Sequence, residues 1–382
     1  MQYRTFGNTG LRVSQLGFGA MRFTDGEDGK VDQKLVDQLV GTAYERGVNY
    51  FDTAKNYLNG QSEPALGKAL KGKRDKVHIA TKVGTWHIKD DSLASLDAHL
   101  EEQLTDLQTD YIDCYLLHAL DIGKWRQFEK LGIERWLEDK QKEGKIRFKG
   151  FSYHGTPADF TTVLHGMKFD FTMIQYNYAD VELQAGEAGV HATDAKGLGT
   201  AIMEPLRGGT LTHNLPPAVT EHLKQANPDR TPAAWSLLHL WDKPEVDIVI
   251  SGMNRMDHLL ENLALADTAN IGNMSNADKA TLVTAGDMLK KLRKADCTGC
   301  LYCEPECPQG IPISSYIFYY CEDALFDRPW YKGFYQDSVA KGKPCTSCGR
   351  CNAVCPQDID IPALLDDVAN HFGRTVSGDN PG

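Results

Sequence analysis

Short apolar runs alternate with amphipathic stretches over the first 270 residues of the chain. Eight of the runs have the length of a strand, and they lie at 15–20, 49–53, 77–82, 111–117, 146–152, 171–176, 199–204 and 246–251. The stretches between them place apolar residues three and four positions apart, as helices do, most clearly at 31–47, 91–107 and 125–144. Strict alternation of strand and helix indicates a parallel sheet, and eight such units predict an α/β fold closed into a (β/α)8 TIM barrel.

A doubly wound sheet is the alternative, but no GxGxxG follows the first predicted strand. From about residue 271 the pattern changes to one helical segment and then to Cys, Pro and turn residues. We therefore predict three parts: a barrel at 1–270, a helical linker at 271–296 and a small, mainly helical domain at 297–382. Two helices are expected in that last part, at 315–326 and 331–342.

Charge and apolar content restrict the class of protein. The net charge of −11 argues against a nucleic-acid partner, because binding phosphates needs a concentrated positive field. The N-terminus lacks the apolar stretch of a signal peptide, and no run of about 18 apolar residues occurs, so we expect a soluble, cytoplasmic protein without a membrane partner. In a reducing compartment, grouped cysteines are more often metal ligands than disulfides.

Ionisable residues stand at the ends of three consecutive predicted strands. Asp52 ends the second, with Tyr57 five residues further on, Lys82 ends the third and His118 ends the fourth. Chemistry in barrel enzymes sits at the carboxyl ends of strands, where these side chains would converge. Each residue alone would more often be an ordinary surface or core residue, but the combination indicates a catalytic site. A nearby cation favours the phenolate, which makes Tyr57 the candidate proton donor.

Several separated motifs in the first two thirds of the chain resemble the aldo/keto reductase family. They are YRTFGNTGLRVSQLGFGAMR, FDTAKNYLNGQSEPALGKAL, IATK, the LLH of the fourth strand and MEPLRGG near the seventh. The resemblance implies that Tyr57 protonates a substrate carbonyl oxygen and that Lys82, oriented by Asp52, lowers the pKa of Tyr57. It implies further that His118 positions the carbonyl.

The same resemblance implies a nicotinamide cofactor, NADP or NAD, across the barrel mouth. Two positions match those that hold the carboxamide, Ser152 and Gln175. The pyrophosphate loop corresponds to Leu206, Arg207, Gly208 and Gly209, and the adenosine end to the segment with Gly252, Arg255, Glu261 and Asn262.

Three positions depart from the family pattern. Tyr153 stands where asparagine usually follows the strand 5 serine, and Met203 stands where an aromatic residue often stacks on the nicotinamide. His258 occupies the position where many members have arginine or glutamine for a 2'-phosphate. Arg255 could serve instead, because a guanidinium suits phosphate geometry.

Eight of the ten cysteines fall in two strings of the form CxxCxxCxxxCP. Zinc needs only two CxxC pairs, whereas the whole string matches the bacterial 4Fe-4S run, whose fourth cysteine ligates the other cluster. We therefore expect two 4Fe-4S clusters in a ferredoxin-like domain. One is assigned to Cys297, Cys300, Cys303 and Cys355, and the other to Cys345, Cys348, Cys351 and Cys307.

The combination predicts an oxidoreductase acting on a small carbonyl or alcohol substrate. Because a nicotinamide passes a hydride and a cluster passes single electrons, a flavin in the barrel or on an electron-transfer protein partner would have to connect them. Residues 297–382 carry 11 Asp and Glu against 6 Lys and Arg, which suits a basic docking partner or simply a solvated face. The alternative is a plain NAD(P)H-dependent reductase with structural or redox-sensing clusters; a scaffold without catalysis is disfavoured by the four polar strand-end residues.

Overall fold

The computed structural model describes residues 1–26, 29–89 and 92–373. Asp91, the first residue of one predicted helix, and residues 374–382 of the predicted C-terminal domain lie outside the described residues. The strands are β1 Tyr3–Thr5, β2 Arg12–Ser14, β3 Leu16–Gly19, β4 Tyr50–Asp52, β5 His78–Val83, β6 Ile112–Leu120, β7 Ile146–Tyr153, β8 Phe171–Gln175, β9 Gly199–Met203 and β10 Ile248–Ser251.

Strands β3 to β10 form a closed barrel in which each strand pairs in parallel with the next along the chain and β10 pairs with β3. All eight coincide with strands predicted from the apolar runs, so the predicted barrel is confirmed. The short β1 and β2 form a separate antiparallel pair. Phe6, just after β1, packs against Tyr50 and Phe171 of the barrel strands.

Helices follow most of the barrel strands and continue after the last one. They are α1 Gln33–Glu45, α2 Ser62–Ala69, α3 Ala94–Asp106, α4 Ile122–Lys130, α5 Ile133–Lys142, α6 Pro157–Leu164, α7 Gly186–Ala195, α8 Thr210–His213, α9 Pro217–Ala226, α10 Pro232–Trp241, α11 Met256–Thr268, α12 Asn276–Leu292, α13 Ile313–Phe326, α14 Trp330–Lys341 and α15 Ile361–Phe372.

The predicted helical stretch at 125–144 consists of two helices, α4 and α5, in the structure. Gly132 separates them with a left-handed conformation (φ 74°), which glycine adopts without the steric cost of a Cβ atom. Periodicity did not reveal the break, because apolar residues keep a spacing of three to four on both sides of it.

Alternate residues of the barrel strands belong to two different apolar clusters. Cys114 and Leu116 join residues of the neighbouring strands in one cluster, whereas Tyr115 and Leu117 join the helices in another. Successive side chains of a strand point to opposite faces, so the first cluster fills the barrel and the second lies between the barrel and its helices. Cys114, inside β6, is fully buried and adds to the apolar filling of the barrel.

The chain divides into two compact units. The first comprises Met1–Gly208 and Arg230–Ala280 and contains the barrel; the second comprises Gly209–Asp229 and Thr281–Gly382. The second unit contains α8, α9 and α13 to α15, and its apolar core is built from α13 and α15 with Tyr335 and the buried cysteines Cys303, Cys321 and Cys351. In the described part of the chain, no helix combines the length and the apolar character needed to cross a bilayer.

Candidate active site and cluster cysteines

Lys82 and Asp52 form a buried ion pair at the carboxyl ends of β5 and β4. The Lys82 ammonium donates to both Asp52 carboxylate oxygens at 2.8 Å and to the Thr53 carbonyl at 2.7 Å. Burial alone would lower the pKa of Lys82, but the Asp52 carboxylate and Tyr57 more than offset it, so the pKa of Lys82 lies above its ordinary value. The site therefore holds a fixed cation at neutral pH.

Tyr57 lies beside this cation on the turn that follows β4. Its ring centroid is 4.9 Å from the Lys82 ammonium. Burial raises the pKa of Tyr57, and the Lys82 charge opposes that rise. Leu58 and Asn59, next in the turn, have φ of 52° and 53°. For leucine this left-handed conformation is strained, and such strain is often found at functional sites.

His118 lies on a local irregularity of β6 and faces Tyr57. The pairing of β6 with β7 shifts between Leu117 and Leu120, and Ala119 has a φ of 54°. Bulges of this kind re-aim side chains, and here the His118 ring stands edge-on to Tyr57, with centroids 5.9 Å apart. Burial, followed by the Lys82 charge, lowers the pKa of His118 to about 2, so the imidazole is neutral. Within the described residues, its Nδ1 atom is buried without a hydrogen-bond partner.

Trp86 and a pair of stacked histidines extend the site. The Trp86 ring is 5.2 Å from His118 and is 47% exposed. His87, the next residue, stacks on His99 of α3 at 3.8 Å, and burial lowers the pKa of each to about 4. Sequence reasoning missed the two histidines, because they are 12 residues apart on different elements and match no motif.

A buried polar network lies directly behind Lys82. Glu63 accepts from the Thr81 hydroxyl at 2.5 Å and from the Gln103 amide at 2.8 Å, and Gln103 also donates to the Lys82 carbonyl. Burial raises the pKa of Glu63. Tyr115 donates to Gln103 from the neighbouring strand. The network fixes the backbone that carries Lys82. Nothing in the sequence indicates this network beyond the presence of polar residues.

Ser152 and Gln175, the candidate carboxamide contacts, are buried at the ends of β7 and β8. The Ser152 hydroxyl accepts from the Ala119 amide at 2.7 Å, next to His118. Gln175 donates to Asp180 at 3.1 Å, and Asp180 also pairs with Arg207 at 2.9 Å. Asp180, which the sequence reasoning missed, thus connects Gln175 to the candidate pyrophosphate loop.

The candidate pyrophosphate loop combines a buried residue with left-handed backbone. Arg207 is buried, and Arg207, Gly208 and Gly209 all have positive φ. Leu206 is partly exposed, and Gly209 begins a segment of the second unit.

The candidate adenosine contacts surround the end of β10 and the start of α11. Asn262 donates to the Ser251 hydroxyl at 3.2 Å, and Glu261 accepts from Thr231. A Cβ atom on Gly252 would come within 3.3 Å of Arg22, a residue that the sequence reasoning did not single out. Arg255 is exposed and makes a bidentate pair with Asp257. Gly252 and Arg255 therefore lie between β10 and α11, with Arg255 engaged to a carboxylate, and Glu261 and Asn262 lie within α11.

The departures Tyr153 and Met203 have different surroundings. Tyr153 is fully buried, packs against Phe151 and Phe160, and donates to the Thr156 carbonyl at 2.6 Å. It is therefore a core residue and does not replace the amide of an asparagine. Met203, at the end of β9, is partly exposed.

The cysteines of the second unit surround two cavities in a crossed arrangement. Cys297, Cys300, Cys303 and Cys355 line one pocket, called the first cavity here. Cys307, Cys345, Cys348 and Cys351 line another pocket, called the second cavity. In each, three cysteines come from one string and the fourth from the other. Among the described residues, no three His, Cys, Asp or Glu side chains are close enough to hold a single metal ion.

The two cysteine strings adopt the same backbone pattern. Left-handed residues occur two and four positions after the first cysteine of each string, at Gly299 and Leu301 in one and at Ser347 and Gly349 in the other. A third pair, Gly310 and Asp358, follows the fourth cysteines. Such turns direct backbone amides into a concavity that suits an anionic group, and the Ser347 amide donates to Cys345 Sγ at 3.4 Å.

A parallel barrel with a polar site at the carboxyl ends of its strands is the architecture of a barrel enzyme. Residues 15–278 match the family model of the aldo/keto reductase family, and the chain belongs to this family. It is therefore an oxidoreductase. Residues 296–361 match the family model of the 4Fe-4S dicluster domain.

The similar proteins that follow match the barrel part of the chain. L-Galactose dehydrogenase of Arabidopsis thaliana is 30% identical over 69% of this chain and 88% of its own length. The holo form of aldo-keto reductase AKR11C1 from Bacillus halodurans is 27% identical, with a TM-score of 0.63 over 75% of this chain and 96% of its own. An aldo/keto reductase from Klebsiella pneumoniae, solved with NADP and acetate, shares the fold at 22% identity and a TM-score of 0.60, over 78% of this chain and 99% of its own.

Proposed function

We propose that this protein interconverts a small carbonyl compound and its alcohol, with Tyr57 as the proton donor and two 4Fe-4S clusters relaying electrons. The observation that carries the proposal is the convergence of Tyr57, Lys82 and His118 around one point, with Asp52 holding Lys82. The residues come from three consecutive strand ends, as a barrel-mouth site requires.

Tyr57 suits the role of acid because it remains protonated until it reacts. Burial keeps its pKa high, while the Lys82 ammonium 4.9 Å from the ring favours the anion that forms when the proton leaves. Neutral His118 can hydrogen-bond to a carbonyl oxygen without competing as a proton source. Addition of one hydride and one proton to the carbonyl group gives the alcohol, so the reaction balances.

The residues at the barrel mouth fit a nicotinamide cofactor, which supplies the hydride when bound. Ser152 and Gln175 carry hydroxyl and amide groups that match the donor and acceptor of a carboxamide. Arg207 and the left-handed glycines after it form a loop suited to phosphate oxygens, although Asp180 already neutralises part of the Arg207 charge. Because Arg255 is engaged to Asp257, the structure gives no preference for NADP over NAD.

The cysteine cavities fit two clusters better than other metal groups. Four thiols line each cavity, and the crossed ligand sets match the two-cluster pattern. A 4Fe-4S cluster, when bound, carries one electron at a time, so a flavin in the barrel mouth or on a partner protein would connect it to hydride chemistry. A plain NAD(P)H-dependent reductase is the second candidate. The candidate catalytic residues Asp52, Tyr57, Lys82 and His118 support this function as well as they support the first one.

One experiment with two measurements tests both halves of the proposal. The protein is prepared without oxygen, reduced chemically and mixed with an aromatic aldehyde. Flavin is added if the purified protein contains none. The absorbance of the clusters and the formation of alcohol are then followed. Aldehyde-dependent NAD(P)H oxidation is measured in parallel. Tyr57→Phe should slow alcohol formation in both by about 10²–10⁴-fold, the usual size of a lost general acid. Tyr111→Phe, at the opposite end of the barrel, is the matched control and should match wild type.

The outcomes separate the candidates. Wild-type clusters that regain the oxidised spectrum as alcohol forms support the relay. Clusters that stay reduced through many NAD(P)H-driven turnovers would leave the plain reductase as the function. Wild-type rates in Tyr57→Phe would contradict the assigned proton donor in either case.

A further inference from the structure

Four basic residues occupy positions 290–294, shortly before the first cluster cysteine. They are Lys290, Lys291, Arg293 and Lys294, and they outnumber the two carboxylates, Asp287 and Asp296, that line the same surface depression at the C-terminal end of α12. The three lysines are exposed. We call these four residues the basic patch. The net charge of −11 does not reveal the basic patch, because acidic residues outnumber basic residues over the whole chain.

The basic patch adjoins the first cavity. Arg293 is close enough to Cys297 and Cys321 for its charge to act on both thiols. The Ala295 carbonyl, between the patch and Cys297, accepts from Cys321 Sγ at 3.8 Å. The Arg293 charge therefore lies near Cys297, a cysteine that lines this cavity.

Apolar side chains are exposed at the first cavity. Leu301 lines this cavity and is 42% exposed, and its neighbour Tyr302 is 62% exposed. Protein-protein interfaces usually combine an apolar centre with a polar rim. In contrast, the part of the chain from Cys297 onward carries 11 acidic and 6 basic residues, so positive charge in this region is concentrated before Cys297.

We propose that the basic patch with Leu301 and Tyr302 is the docking surface for an acidic one-electron carrier protein. The inference rests on the proposed cluster function and assigns the partner to the first cavity. Complementary charge steers such an encounter. Screening limits that attraction to about 10 Å at 0.1 M salt. Within that distance the four basic residues outnumber Asp287 and Asp296, and acidic residues farther away act weakly. In the transfer, the reduced cluster loses one electron and the carrier gains it, and no bond or proton is exchanged.

The test measures electron transfer from chemically reduced protein to oxidised flavodoxin, an acidic carrier, by anaerobic stopped flow. Lys291→Glu/Lys294→Glu should slow this reaction at least tenfold at low salt, because a steering attraction becomes a repulsion. Lys332→Glu/Lys341→Glu makes the same charge change at exposed positions of α14 and should stay within about twofold of wild type. The wild-type rate should fall as salt is added.

Cytochrome c, a basic acceptor, serves as the opposite probe, and the patch variant should react with it as fast as wild type or faster. Equal slowing by the two double variants, or a flavodoxin rate independent of salt, would overturn the docking surface. Loss of self-association or of binding to phosphatidylserine vesicles in the patch variant, with flavodoxin kinetics unchanged, would reassign the surface to a second copy or a membrane. Iron and sulfide contents are measured in every sample, so absent clusters in wild type would contradict the proposed function and not the docking site.

Discussion

Asp52→Asn removes the charge that balances a deeply buried lysine while preserving the shape of the side chain. Lys82 is 1% exposed and would retain the Thr53 carbonyl at 2.7 Å together with a neutral amide oxygen. Removing one partner of a buried ion pair costs about 3–5 kcal/mol. Because one acceptor remains in place, we expect the lower end, about 3 kcal/mol of unfolding free energy.

The substitution should also change how stability depends on pH. In the native protein the pKa of Lys82 is raised above its ordinary 10.5, so its contribution is fully present below pH 10.5 and is lost as pH rises through the folded pKa. Without the carboxylate, burial acts on Lys82 with less opposition and lowers its pKa. Where the folded pKa falls below 10.5 the sign reverses, so the stability of the variant should rise with pH between its folded pKa and 10.5, whereas wild type shows no such rise. Its activity should decline at a lower alkaline pH than in wild type, because the Lys82 cation is lost there.

Urea unfolding followed by circular dichroism measures the effect. With a slope of about 3 kcal/mol per molar urea, a loss of 3 kcal/mol moves the midpoint down by about 1 M. Asp139→Asn is the control: Asp139 pairs with Lys142 at 3.1 Å, but both side chains are exposed. The control should change stability by no more than about 0.5 kcal/mol.

A double variant decides whether the pair acts as one unit. Lys82→Met removes the cation, so combining it with Asp52→Asn leaves no unpaired buried charge. The double variant should then be more stable than the sum of the two single losses predicts, by at least about 1 kcal/mol. Additive losses would refute the reasoning, because they would show that each side chain is stabilised independently of the other.

Two further predictions concern the second unit and His118. Wild type prepared without oxygen should contain about eight iron atoms per chain. Cys307→Ala should lose the cluster assigned to Cys345, Cys348 and Cys351 and keep the one assigned to Cys297. Loss of the other cluster instead would refute the crossed assignment. Because the pKa of His118 is lowered to about 2, the free energy of unfolding decreases as the pH is lowered below 6.5. Between pH 7 and pH 5, the free energy of unfolding of His118→Asn should decrease by about 2 kcal/mol less than that of wild type. An equal decrease in both proteins would contradict this.

The barrel was predictable because its signal is local. Each strand is a short apolar run, and each of the amphipathic stretches between them shows one apolar face, so the order of elements determined the fold class. The break between α4 and α5 was not predictable from the same signal. Gly132 permits a left-handed turn but does not require one, and the apolar spacing continues across it.

The convergence of the candidate catalytic residues was predictable by position, since strand ends of a barrel meet at its mouth. Their supporting residues were not. Glu63 and Gln103 act through contacts between elements far apart in sequence, as from Gln103 on α3 to Thr81 on β5. Asp180 likewise pairs with Arg207, 27 positions further along the chain. Polar residues on helices are usually solvent-exposed, so nothing in their local sequence distinguishes these buried side chains from surface ones.

The cysteine strings show the limit of residue-by-residue reasoning most clearly. Their letters agree at the cysteines and the prolines, yet the shared left-handed positions carry Gly299 against Ser347 and Leu301 against Gly349. Leucine in this conformation costs on the order of 1 kcal/mol or more, and its own propensity predicts a different backbone. Under the proposed function, ligation of a cluster by the four cysteines of the first cavity would fix the path of this loop and offset the strain at Leu301. The shared backbone of the two strings follows their shared cysteine spacing, and propensity at single positions does not determine it.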